Sequence, residues 1–277
     1  MKSFSYSIPG LIDNAAQTYY YNSNANDSVP DGALTSMALF SNAWLSYSYD
    51  DLGRLKQREI AASMTENYTY TAGISDVADS TTTLVSKLAI KDKQTGTDLQ
   101  SFSYTYDALG NIKRQNNYKA SSYTEYTYDE QGQLLTAKDY TTRFLQPIQP
   151  QPFALIDLNK LVKTYTYTYD TYGNIRTSSD GTTNHTYTYG DSQWKDLLTA
   201  YDGHTITYDQ VGNPLSYYNG TNWTFTWRNG RQLATAKTGT KTTNYEYNAD
   251  GLRTRKVNAD GTYSEYYWVG SMLLAEV

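Results

Sequence analysis

Apolar and polar positions alternate with period two along most of the chain, and one short phrase interrupts the alternation again and again. It is clearest at Tyr167-Thr168-Tyr169-Asp170-Thr171-Tyr172-Gly173-Asn174-Ile175. It returns from Tyr104 to Ile112, from Tyr126 to Leu134 and from Tyr47 to Leu55, with weaker copies starting at Ile206, Phe225 and Tyr245. Tyr-x-Tyr puts two rings on one face of a strand, and Tyr and Thr both suit a pleated surface. Asp-x-x-Gly predicts a turn: Asp bonds backbone N–H groups ahead of it, and Gly accepts φ > 0. Alternation then resumes, so each phrase predicts strand, turn, strand.

A second turn follows each phrase. Asp180-Gly181, Asn219-Gly220 and Asp260-Gly261 are hairpin signals that predict type I′ turns, with both central residues at φ > 0. The second aromatic of each phrase, or its stand-in, falls at 169, 189, 208, 227, 247 and 268, in steps of 20, 19, 19, 20 and 21 residues. That is a repeat in the solenoid range. The expected fold is all-β: an antiparallel β-hairpin repeat array of about 20 residues per unit, curled by strand twist into a solenoid-like or partial-shell ribbon.

Residues 1–46 lack the phrase and predict irregular N-terminal strands and a loop leading into the array. Phe4-Ser5-Tyr6 and Tyr19-Tyr20-Tyr21 are strand candidates, Asn22–Gly32 a loop, and Ser36–Leu45 one strand. Residues 47–277 carry the YD-type hairpin repeats. Tyr68-Thr69-Tyr70 predicts a strand, and Leu84–Lys91 is expected to pair with Leu99–Tyr106. Residues 139–163, with Pro147, Pro150 and Pro152, predict an irregular repeat with a protruding Pro-rich loop, because proline cannot donate to a central ladder. Met272–Val277 predicts a last strand without a cap, so the chain is expected to be a piece of a longer array or to have its edge covered by another chain.

Composition narrows the chemistry. The chain has 277 residues, no Cys, and a formal charge of −5. Disulfides, thiolate nucleophiles and Cys-based metal sites are excluded, and the charge gives no footprint for nucleic acid. No apolar run is long enough to span a membrane as a helix, and no signal peptide is visible in this chain. Tyr outnumbers Phe 30 to 6. A dry core would favour Phe, so the excess predicts a single-layer sheet whose tyrosine hydroxyls meet water.

Candidate sites are few. His185 and His204 are the only histidines, and a Ser–His–Asp arrangement has no nucleophile elbow behind it, so both read as strand histidines. Asp50, Asp107, Asp129, Asp170 and Asp209 repeat, but each turn offers one Asp where calcium needs several oxygens; turn capping is the better reading. No cofactor, metal or catalytic residue is expected. Trp44, Trp194, Trp223, Trp227 and Trp268, with Tyr266-Tyr267-Trp268-Val269-Gly270, allow an alternative: a cell-wall or glycan-binding repeat module using exposed Tyr and Trp.

Tyr49-Asp50-Asp51-Leu52-Gly53-Arg54-Leu55 and Tyr106-Asp107-Ala108-Leu109-Gly110-Asn111-Ile112 resemble the YD repeat of the RHS and teneurin proteins, and the resemblance covers about residues 44–277. It implies a β-hairpin ribbon spiralling into a hollow shell, which in bacterial members, as in the insecticidal toxin complexes, encloses a C-terminal toxin and in teneurins serves adhesion. The Asp-Pro element linked to self-cleavage in those toxins is absent, so the resemblance implies a shell segment and gives no support for cleavage or toxicity. The expected function is a non-enzymatic structural segment of a larger secreted or cell-surface RHS-type protein. Its expected partners are the remainder of its own polypeptide or a second shell chain, with a glycan or cell-surface ligand as a further candidate.

Overall fold

The structure, a computed structural model, describes residues 2–7, 16–22, 31–39, 42–61, 63–73, 81–142 and 159–277. It divides into two compact units, Met1–Thr166 and Tyr167–Val277. The first holds β1 (Lys2–Ser7), β2 (Ala16–Tyr21), β3 (Leu34–Leu39), β4 (Asn42–Tyr49), β5 (Leu55–Ile60), β6 (Met64–Ala72), β7 (Thr81–Asp92), β8 (Asp98–Tyr106), β9 (Ile112–Asn117), β10 (Ser122–Tyr128), β11 (Leu134–Thr141) and most of β12 (Lys160–Tyr169). The second holds β13 (Ile175–Ser179), β14 (Asn184–Thr188), β15 (Ala200–Tyr201), β16 (His204–Thr205), β17 (Ser216–Tyr218), β18 (Asn222–Arg228), β19 (Gln232–Thr238), β20 (Lys241–Tyr247), β21 (Arg253–Val257), β22 (Tyr263–Val269) and β23 (Met272–Glu276). Within the first unit each strand pairs antiparallel with its sequence neighbours. In the second, β13 to β16 and β17 to β23 form two such runs. The described residues contain no helix. The fold is all-β, an antiparallel hairpin array.

The phrase folds as a type I turn closed by a glycine in the left-handed region, with a bulge where the strand enters it. In seven copies the first turn residue donates its N–H to the carbonyl of the fifth, and the Gly N–H donates back to the first: Asp50, Asp107, Asp129, Asp170, Asp209, Asn248 and Asn258. The seven glycines have φ between +75° and +87°. Oδ1 of each phrase Asp accepts the amides of the third and fifth residues at 2.8–3.1 Å. Oδ2 accepts a side-chain donor from the fifth residue: Arg54 Nε at 2.7 Å, Asn111 and Asn174 Nδ2 at 3.0 Å, Asn213 Nδ2 at 2.7 Å. In four of the five Asp copies the residue four on is therefore Asn or Arg; after Asp129 it is Gln133. Where Asn248 stands first, its amide has one acceptor oxygen instead of two, and the fifth residue is the apolar Leu252.

The expected type I′ turns are corrected. Asp180, Asn219 and Asp260 do not take positive φ; only their glycines do. Asp260-Gly261 is the second half of Asn258-Ala259-Asp260-Gly261-Thr262, a further copy of the phrase turn. Asp180 instead accepts the amides of Thr182 and Thr183 on its own carboxylate. Both residues take positive φ at Asp202-Gly203, the two-residue turn joining β15 to β16, and at Asn229-Gly230 in the longer turn between β18 and β19.

The expectation that tyrosine hydroxyls meet water is also corrected at the phrase positions. Seven phrase aromatics donate to backbone carbonyls at 2.6–2.8 Å: Tyr49 to Leu34, Tyr70 to Leu55, Tyr106 to Val85, Tyr128 to Ile112, Tyr208 to Leu198, and through indole Nε1 Trp227 to Pro214 and Trp268 to Arg253. One rule places them all. Each carbonyl lies two residues before the end of a ladder between hairpins, and each donor three residues beyond that end: Gln57↔Asn67 precedes Leu55 and Tyr70, and Arg114↔Glu125 precedes Ile112 and Tyr128. The same offset holds at Ser36↔Ser46, Lys87↔Ser103, Ala200↔Thr205, Ser216↔Thr224 and Arg255↔Glu265. There the strands diverge into successive turns, and a carbonyl that loses its ladder partner gains a ring donor instead.

The core is thin. Among the described residues the buried apolar positions are Ala38, Ala89, Tyr123, Ala137, Ile206 and Ala236. Ala137 lies between Tyr126 and Tyr165 in the register, its small side chain leaving room for the flanking rings. Tyr123 stacks on its cross-strand partner Tyr140, centroids 4.6 Å apart, with the Arg114 guanidinium 3.6 Å from its ring.

Tyr68-Thr69-Tyr70 lies in β6, and β7 pairs with β8 as expected. Ser36–Leu45 is not one strand: it belongs to β3 and β4, which pair with each other. In the weak copy at Ile206 the expected entry strand shrinks to β16 plus a lone bridge, Tyr208↔Pro214, because Pro214 has no N–H to give. The Pro-rich loop expected within 139–163 falls largely on 143–158, outside the described residues, while β11 and β12 on either side of it pair directly.

Candidate functional site

His185 and His204 lie on β14 and β16, the strands on either side of β15. His185 Nδ1 is 2.7 Å from Asp202 Oδ2, and Asp202 Oδ1 accepts the Thr186 amide at 2.7 Å. Burial pushes the Asp202 carboxyl up, but the His185 bond, the Thr186 amide and the charges of both histidines outweigh it and hold the group below the usual carboxylate range. The His185 ring stacks on Tyr201 at 5.4 Å, and burial with the Asp202 charge pushes the Tyr201 hydroxyl up to about 12. His204 stacks on Tyr218 at 3.6 Å. Ser178 faces His185 in the register, yet its Oγ pairs with Tyr187 OH at 3.3 Å, leaving the His–Asp pair without a serine. What the geometry shows is a strand pair tied to a turn: Asp202 opens the β15–β16 turn, and His185 holds it.

The repeated aspartates are spent on their turns. For Asp50 and Asp107 the side-chain donors Arg54 and Asn111 lead in holding the carboxyl below its ordinary value. For Asp170 and Asp209 burial acts upward, and the Asn174 and Asn213 bonds overcome it. No group of three metal-capable side chains occurs among the described residues. The fifth residue also reaches past its own turn: Asn174 Nδ2 donates to Lys195 O at 3.1 Å and Asn213 Nδ2 to Gly230 O at 2.6 Å, linking one turn to the next loop.

The tryptophans divide by role. Trp227 and Trp268 are carbonyl donors of the array. Trp223 Nε1 donates to Asn219 Oδ1 at 2.9 Å, and its ring is parallel to Phe225. Trp194, 44% exposed, lies against Gly212, where an added Cβ would sit 2.6 Å from the indole. The side chain of Trp44 lies outside the described residues. In the 266–270 stretch Tyr267 OH donates to Glu265 at 3.0 Å. The third turn position, unremarked by periodicity, is the exposed apolar one: Leu52, Leu109, Tyr172 and Val211 all project there.

No protein-family model matches the chain, and no curated protein matches its sequence. Solved structures do. The crystal structure of the TcdB2–TccC3–Cdc42 assembly aligns over 91% of this chain with 17% identity and a TM-score of 0.53. The pore of the Photorhabdus luminescens Tc holotoxin, carrying a TccC3 variant, aligns over 91% with 16% identity and a TM-score of 0.51. This chain spans 14% of the length of each matched chain. At that identity the likeness is one of fold.

Proposed function

We propose that this chain is a wall segment of a larger RHS-type polypeptide: a non-enzymatic stretch of hairpins that helps to enclose or present another domain. The observation that carries the reading is the repeated turn, in which Asp caps the amides ahead of it, Gly takes the left-handed position and, in four copies, Asn or Arg holds the Asp carboxylate. Such a unit specifies a sheet of any length and no particular site, because each hairpin is completed by its neighbours. The fold likeness to Tc toxin assemblies supports the same reading. So does the low burial: with few fully covered side chains, a single layer suits a wall better than a globular catalyst. The partners in this reading are the rest of the same polypeptide or a second wall chain, since hairpins of an array are completed by their neighbours. Secretion or surface display is the setting that fits a Tc-like assembly.

Protease accessibility of the native polypeptide that contains these residues tests the reading. The enclosed domain should stay intact until denaturant opens the wall. Cleavage at the rate of the same domain expressed alone would contradict it.

A further inference from the structure

We propose that the face formed by β7, β8 and the turn after β9 binds a carboxylated sugar residue, a role independent of wall-building. The register sets Lys87 opposite Ser103, Ala89 opposite Ser101 and Lys91 opposite Asp98. Ala89 and Ser101, 3% and 4% exposed, make a small-residue floor. Lys87, Asp98, Gln100, Ser101, Tyr118 and Lys119 line a cavity of about 360 Å³ above it. That lies within the roughly 300–1,000 Å³ of small-molecule sites.

Two groups here, Ser101 Oγ and the Lys119 ammonium, are left without a partner among the described residues, which sets this cavity apart from two others. Around Trp223, Asn258 and Asp260 both bond Thr262, and between the turns at Asp107 and Asp129 both carboxylates cap amides. Ser101 Oγ, by contrast, is buried with no hydrogen-bond partner. Lys119 has no ion pair among the described residues. Lys87 stands 3.9 Å from Asp98, which Lys91 approaches more closely, at 3.3 Å. Lys87 and Lys119 thus line the cavity with one carboxylate, Asp98, which Lys91 also neutralises from beside it, so the site favours an anion.

The other groups select which anion. Tyr118 is 59% exposed, and its hydroxyl is held 3.0 Å from Ser103 Oγ. It offers an apolar ring in a fixed place, suited to the C–H face of a pyranose. Asp98 accepts hydroxyl donors and repels a multiply charged phosphate. Gln100, paired with Ile90, puts its side chain on the other face of the sheet, where it bonds Asn117 Oδ1 at 2.9 Å, so it adds no side-chain acceptor here. One carboxylate for Lys87 and Lys119, an apolar ring face for Tyr118 and hydroxyls for Asp98 and Ser101 together describe an acidic sugar.

Isothermal titration calorimetry of the whole chain at low salt, with tetragalacturonate, its carboxyl-reduced neutral counterpart and sialyllactose as probes, tests this. At least one carboxylated probe should bind, and which one identifies the source of the acid. The neutral counterpart, Lys119→Met and Tyr118→Ala should each weaken binding about tenfold, the effect of losing one charge-assisted contact or an apolar face. Both substitutions are at exposed turn positions, so thermal unfolding should stay unchanged. Lys241→Met, at the cavity near Trp223, should leave binding intact. No binding of either carboxylated probe, equal binding of the neutral one, or equal loss in Lys241→Met would overturn the proposal.

Discussion

At the scale of single residues, the phrase divides its labour between a turn maker and a ladder closer. Tyr128→Phe removes only the hydroxyl that meets Ile112 O and should cost about 1 kcal/mol in chemical denaturation. Tyr172→Phe, at an exposed turn tip, should change stability by less than about 0.5 kcal/mol. Gly110→Ala meets open space but keeps φ near +86°, so its cost is conformational, about 1–2 kcal/mol. Gly212→Ala adds a clash with Trp194 and should cost more. The sign of the pH dependence follows from the same groups. Burial raises the hydroxyls of Tyr49, Tyr106, Tyr128 and Tyr208 above 10.0, so the unfolded chain ionises first. Their stabilisation is complete below pH 10 and declines as pH climbs beyond it. The carboxyls of Asp50 and Asp107 lie below 3.8, so their contribution is present above that pH and is lost as pH falls through the folded values. Thermal midpoints followed by circular dichroism should therefore fall at both extremes. Asp and Gly were legible in sequence because their acceptors and donors lie within four residues. The ring donors were not, because each acceptor lies 10–21 residues away, at a place set by where a ladder ends.

At the scale of strands and turns, stability should follow the ladders. β10 and β11 exchange partners from Ser122↔Thr141 to Tyr128↔Leu134, while β15 and β16 share two pairs and Tyr208↔Pro214 is a lone bridge. Native-state hydrogen exchange should be fastest, among the described strands of the second unit, across Ala200–Leu215 and much slower in β18 to β20. Uniform protection across both would contradict that order. Period-two alternation located most of these strands but overstated the copy at Ile206, since alternation does not register that Pro214 removes a donor. It also placed Asp260-Gly261 in a hairpin type of its own; the bonding of Asn258 shows that a turn is defined by its first residue, two positions earlier.

At the scale of the whole chain, the repeat was legible because its period is written in spacing, and a hairpin array follows from the period. The lysine-lined cavity was not, because Lys87, Ser101 and Lys119 come from two strands and a turn, and only the register brings them together. No helix of the described residues is long and apolar enough to cross a membrane. The exposed Leu52, Leu109, Tyr172 and Val211 recur at one turn position, as expected when every hairpin is built alike and any binding surface comes from repetition. If such hairpins form the wall of an enclosure, electron cryomicroscopy of the native polypeptide containing this segment should show a single-layer β wall, with Tyr49, Tyr106 and Tyr128 bonded to carbonyls of the preceding hairpin, around a volume that holds another domain. A solid rod or a two-layer sandwich with no enclosed volume would contradict it.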